Sequence, residues 1–217
     1  MIGTEKIEDI KETLFNGFNS RKENFYKNNG NNNIKYTESK VIGILLADNN
    51  EYPMSDILDT LNDVSGEHID FFCIGYSKNT QKNIWEFNRT SYDSFISEFR
   101  SLILNTNRQL CHQHLILINA NASETDCYLD FSKSIVLDFH KINQSGINMR
   151  DLFFTIFEKV TENQKITIGE LSNKLFEDKN NEFILDVLIN LLAKDFDKIK
   201  NLFKSRMIYL LKDISNK

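Results

Sequence analysis

Apolar residues fall along this chain in two periodicities. Four short runs, Val41-Ile-Gly-Ile-Leu-Leu-Ala47, Ile69-Asp-Phe-Phe-Cys-Ile-Gly75, Leu115-Ile-Leu-Ile118 and Ser134-Ile-Val-Leu137, are dense in β-branched and aromatic residues. They are too short for buried helices and read as strands. The first three are nearly continuous in apolar character, as a strand is when both of its faces are covered. The second pattern recurs at three and four residues. Ile7, Ile10, Leu14 and Phe18 mark an amphipathic helix from Thr4 to Tyr26. Ile57, Leu58, Leu61 and Val64 mark another from Met54 to Ser65, stopped by Gly66. Tyr92, Phe95, Ile96, Phe99, Leu102 and Ile103 mark a third, with Thr90 or Ser91 as its cap.

The first strand, the Met54–Ser65 helix and the second strand form a βαβ unit, which requires parallel strands and a right-handed crossover. Asn83-Ile-Trp-Glu-Phe87 fits an extra edge strand. Ala120 to Phe131 is polar and turn-like, so the third and fourth strands, joined by a loop, are expected to be antiparallel. A further amphipathic helix, Met149 to Thr161, comes next. The predicted class is α/β, with a central mixed sheet of about four or five strands in the order β-α-β-α-β-β-α. That order resembles a thioredoxin-like fold, in topology alone. A redox member would carry Cys-x-x-Cys directly after the first strand, where this chain has Asp48-Asn-Asn-Glu-Tyr-Pro53. Thiol–disulfide chemistry is therefore not expected. A flavodoxin-like, all-parallel sheet is the competing architecture.

The polar run Asn28-Asn-Gly-Asn-Asn-Asn33 breaks any helix and marks a boundary. The expected organisation is an N-terminal helix over 1–27, a linker over 28–39, a sheet domain over 40–163 and a C-terminal helical region over 164–217. In that last region Thr167-Ile-Gly-Glu170 matches a capping box. Phe183, Ile184, Val187, Leu188, Leu191, Leu192, Phe196, Ile199 and Phe203 then form a wide stripe, and Met207 to Ile214 adds another apolar face. Such faces need a covering surface.

Composition narrows the partners. Of 217 residues 41% are hydrophobic, with 17 Phe, which is ample for a core and excludes disorder over most of the length. The net charge of −5, from 31 acidic and 26 basic residues, gives no field that would gather phosphate backbones or anionic lipid. Lys194 to Lys217 carries seven basic residues against three acidic ones and reads as a solvated face. Lys165 to Leu175 has some look of a first helix-turn-helix helix, but the helix after it starts acidic and is mostly apolar, so nucleic acid is not an expected partner. No apolar stretch approaches the roughly 20 residues of a spanning helix, and Met1-Ile-Gly-Thr-Glu-Lys-Ile-Glu-Asp9 is too charged for a signal peptide. Three cysteines, one inside a predicted buried strand, fit a reducing cytoplasm.

Candidate chemistry sits where strands end. In open α/β sheets ligands bind beyond the carboxyl ends of strands, and Asp48, Asn49, Tyr76, Ser77 and Asn119 all fall at such predicted ends. Asp48, Asn49, Tyr76 and Ser77 are the candidate ligand-binding residues. Turn chemistry is the plainer account of them, since Asp and Asn favour turns. Cys111-His-Gln-His114 with Cys127 offers zinc-type ligands, but the spacing matches no standard finger and no metal site is expected. Asp138 and His140 share a face of a strand end, as an acid/base couple or as a surface hydrogen bond. Trp85 and Phe87 alternate in their short strand, where exposed rings on an edge would offer a docking surface and core packing is the default. The glycine-rich phosphate cradles and the G-x-S-x-G elbow do not occur.

Two functional readings follow. The first is a non-catalytic, intracellular interaction or regulatory module that assembles through its terminal helices, with a protein partner or a second copy. The alternative is a small-molecule-binding enzyme or sensor with a polar pocket at the strand ends. Neither calls for a cofactor, and no catalytic residue is assigned.

Overall fold

In the computed structural model, which describes residues 2–4, 6–29, 36, 38–48, 54–65, 69–103, 113–123, 125–139, 142 and 208–212, a short strand precedes the first helix. The elements are β1 (Ile2–Thr4), α1 (Ile7–Asn29), β2 (Glu38–Ala47), α2 (Ser55–Val64), β3 (Ile69–Ile74), β4 (Tyr76–Asn79), β5 (Ile84–Phe87), α3 (Arg89–Ile103), β6 (Gln113–Ala122), β7 (Cys127–Asp138) and β8 (Ile208–Lys212). Six strands form one mixed sheet in the order β1-β3-β2-β6-β7-β8. β1 and β2 flank β3 in parallel, and β6, β7 and β8 continue from β2 antiparallel, each to its neighbour. The fold is thus α/β with a mixed sheet, and the all-parallel alternative falls.

Each helix follows from its apolar stripe. Ile7, Ile10 and Leu14 of α1 are buried against the sheet, in one cluster with Tyr92, Phe95, Ile96 and Phe99 of α3 and the even-numbered Ile42, Ile44, Leu46, Phe72, Ile74, Ile116 and Ile118, while Phe18 is buried beside Phe15 and Tyr36. Leu58 and Leu61 of α2 are buried outside that cluster, as are the odd-numbered Leu45, Phe71 and Leu115. The crossover rule explains the division. The step from β1 to β2 and the step from β2 to β3 run in opposite directions across the sheet, so two right-handed crossovers put α1 and α2 on opposite faces. Gly43 makes room on the α2 face. A Cβ there would lie 2.5 Å from the Phe71 ring and 3.2 Å from Leu115.

Several details differ from the sequence-based expectation. The helix begins at Ile7 and not at Thr4, because Ile2–Thr4 adds to the edge of β3, while Asp9 accepts from the Lys6 N–H at 2.9 Å and sets the helix start. Asn88 caps α3 in place of Thr90 or Ser91, its Oδ1 accepting from the Ser91 N–H at 3.1 Å. The Asn83–Phe87 run is no edge of the main sheet. Its Ile84–Phe87 part pairs with β4 as a separate hairpin, turned through Asn83 at φ 51°, a left-handed conformation that Asn tolerates.

The expected loop Ala120–Phe131 is largely strand. The β6/β7 pairing reaches Ala122 opposite Cys127, with a register shift between Leu117 and Asn119, because backbone pairing outweighs the polar side chains of that stretch. Within the apolar face expected of a helix at Met207–Ile214, Ile208–Lys212 is instead β8. A short apolar run satisfies either period, and the open edge of β7 offers backbone partners. The expected helix at Met149–Thr161, the capping box Thr167–Glu170, the stripe Phe183–Phe203 and most of the 28–39 linker lie outside the described residues. No helix among the described residues is long and apolar enough to cross a membrane.

Candidate functional site

β2 and β3 run parallel, so their carboxyl ends share one end of the sheet. Asp48 follows β2 there and is buried, with 5% of its surface exposed. β3 ends at Gly75, whose φ of +75° turns the chain out of the sheet and into the β4–β5 hairpin. A side chain at Gly75 would be strained by that φ and would stand 2.9 Å from the Asn88 carbonyl and from Tyr92 Cβ. The Gly75 N–H donates to the Thr4 carbonyl at 3.2 Å, and the Gly75 carbonyl accepts from the Asn88 N–H at 2.7 Å. Both ends of the hairpin are thereby pinned together. Arg89, the first residue of α3, comes next in the chain and lies beside Asp48.

The Arg89 guanidinium donates through Nη1 to Asp48 Oδ2 and through Nε to both oxygens of Asp93 at 3.1 Å. Its carbon lies 5.9 Å from the centre of the Tyr92 ring. Hydrogen bonding to Asp93, with Asp48 adding its charge, holds Arg89 above its ordinary pKa. Tyr76 is 3% exposed, and its hydroxyl has no hydrogen-bond partner among the described residues. Its ring packs on Phe87 at 4.9 Å, and Phe87 on Tyr92 at 5.5 Å. Burial first, and then the charge of Asp48, pushes the Tyr76 phenol upward, so it stays a neutral O–H donor. Burial also pushes the Cys73 thiol up, which removes it as a nucleophile.

A second polar pair occupies the same end of the sheet. Leu46 is opposite His114 on β6, and His114 is opposite Asp138 on β7, so the three share a face. His114 Nε2 and Asp138 Oδ2 are 3.8 Å apart, both largely buried. The strand spacing of about 5 Å puts His114 one strand from β2 and Asp138 two.

Of the residues singled out from sequence, Asp48 and Tyr76 are brought together. Ser77 is exposed on β4, and Asn49 lies outside the described residues. Asn119 is not at this end at all. β6 runs antiparallel to β2, so Asn119 sits opposite Val41, toward the start of β2. The same reversal separates the supposed zinc ligands, since His114 and Cys127 fall at opposite ends of the β6/β7 pair, about 27 Å apart along the strand. Cys111 and His112 lie outside the described residues, as does His140, and the partner found for Asp138 is His114. No three His, Cys, Asp or Glu residues among the described residues are placed to hold a metal ion. Arg89 was not singled out. Its one sequence signal is Asp93 four residues on, while its partner Asp48 is 41 residues away.

The chain matches no protein-family model, no curated protein and no solved structure.

Proposed function

We propose that this protein is a small-molecule-binding module, a sensor or regulator on a thioredoxin-like scaffold without thiol–disulfide chemistry, that takes its ligand at the strand ends around Asp48, Arg89 and Tyr76. One observation carries the reading: the buried Tyr76 hydroxyl, without a hydrogen-bond partner among the described residues, sits in the field of a buried carboxylate. Leaving a buried donor unmade costs about 1–3 kcal/mol, and a ligand that accepts from it would offset that cost. Asp48, Asp93 and Arg89 together carry one net negative charge, which favours a neutral or cationic ligand that presents a hydrogen-bond acceptor to Tyr76.

The scaffold part of the proposal is supported by the order β1-β3-β2-β6-β7, in which the first three strands are parallel and the next two alternate. The cytoplasmic setting is supported by Cys73 and Cys127, both free thiols. A thermal-shift screen of small polar compounds tests the site. A compound that raises the melting temperature of the wild type is expected to lose its effect in both Tyr76→Phe and Asp48→Asn; binders indifferent to both variants would refute the site.

A second reading, assembly through the terminal helices with a protein partner or a second copy, is supported by the apolar stripe at Phe183–Phe203. α1 no longer supports it, because Ile10 and Phe18 have no exposed surface left to offer.

A further inference from the structure

The β4–β5 hairpin leaves the sheet at Gly75 and returns at Asn88, so it is inserted between β3 and α3 directly beside Asp48 and Arg89. Its base belongs to the α3 side, through Phe87 on Tyr92. Its arm belongs to the α2 side. The Trp85 indole N–H donates to Asp59 Oδ1 of α2 at 2.9 Å. Lys78 on the opposite strand of the hairpin stacks over the Trp85 ring at 5.3 Å and reaches Asp59 at 3.7 Å. Because α2 and α3 lie on opposite faces of the sheet, the hairpin crosses the sheet end next to the strand-end cluster.

The two attachments differ in kind. The base is backbone-bonded around a buried residue, with buried Tyr76 paired to half-buried Phe87 and Gly75 to Asn88. The arm is half-exposed to exposed along its length, with Ile84 47% exposed, and its tie to α2 is made by three side chains at the surface. A segment held by backbone bonds and packed rings at one end and by surface side-chain contacts at the other opens from the weaker end.

From this we infer that the hairpin is a flap over the strand-end site, hinged at Gly75 and Asn88, and that Trp85, Asp59 and Lys78 form the latch that closes it onto α2. With the latch open the pairing loosens from the arm inward to Tyr76 and Phe87 at the hinge, so the flap controls access to the buried hydroxyl. The inference rests on the strand-end site proposed above for its functional meaning, and on the Trp85–Asp59 contact for its mechanics.

Trp85 is the single tryptophan of the chain, so fluorescence excited beyond the tyrosine absorption band reads the latch alone. In Asp59→Ala, acrylamide quenching of Trp85 is expected to rise. Amide exchange over residues 76–87 is expected to quicken about five- to tenfold, the scale of one hydrogen bond at a surface, while residues 41–47 of β2 keep their protection. Tetranitromethane should nitrate Tyr76 faster in that variant and leave Tyr92 protected. Trp85→Phe, which keeps the ring bulk and removes the donor, should reproduce the exchange change. Faster quenching without any change at 76–87 or at Tyr76 overturns the flap, as does no change in either variant. If the flap opens as described but Tyr76→Phe leaves every thermal-shift ligand bound, the flap stands and the strand-end binding site falls.

Discussion

Two residues show how tightly the sheet end is set. Gly43 stands where any Cβ would press on Phe71, a ring with no exposed surface and no room to swing. Gly43→Ala is therefore expected to destabilise the fold by about 1–3 kcal/mol in urea titration, the usual cost of overpacking, although alanine favours strands over glycine. Cys73 gives a pH signature. Its folded pKa is raised by burial above the ordinary 9.0, so the folded state holds a proton that the unfolded chain releases. Stability is then full below about pH 9 and falls as pH rises above it, with a slope of up to about 1.4 kcal/mol per unit for one group. Tyr76 adds to the loss above its ordinary 10.0, by the same sign. Chemical denaturation between pH 7 and 10 should show this decline, and Cys73→Val should flatten its lower part.

At this scale the sequence was legible where chemistry and burial coincide. Asp48 and Tyr76 were readable as strand-end residues because the apolar runs before them stop abruptly. Arg89 was not, because its role comes from a contact 41 residues away that no local pattern records. Asn119 misled for a related reason: whether a strand end lies at one end of the sheet or the other depends on strand direction, which side chains do not encode.

Among the elements, α2 and α3 and the centres of β2 and β3 follow from periodicity, because burial on a single face or on both writes itself into the sequence. β1 has three residues, too few for any period, and β8 is an apolar run that fits a helix equally well. The ends of elements decide the site. α3 starts at Arg89 because Asn88 caps it, and the cap thereby sets where the guanidinium meets Asp48. Asn88→Ala should cost about 1 kcal/mol of stability by urea unfolding, a typical N-cap loss. It should also weaken the Asp48–Arg89 contact, so a thermal-shift ligand should lose part of its effect in Asn88→Ala though neither carboxylate has been touched.

For the whole molecule, β8 changes how assembly can be tested. Cutting the chain after residue 165 would remove the Phe183–Phe203 stripe, but it would also strip Ile208–Lys212 from β7 and leave an open strand edge, which itself invites association. The informative variant keeps β8 and alters only the stripe. If the stripe joins copies, light scattering of the full chain should give a mass above 25.4 kDa that grows with concentration, and Leu188→Lys with Leu192→Lys should return it to 25.4 kDa with the circular dichroism spectrum retained. A constant 25.4 kDa for the wild type removes self-assembly from the account. The ligand site proposed at the strand ends does not depend on that outcome, since Asp48, Arg89, Tyr76 and the hairpin beside them all belong to one chain.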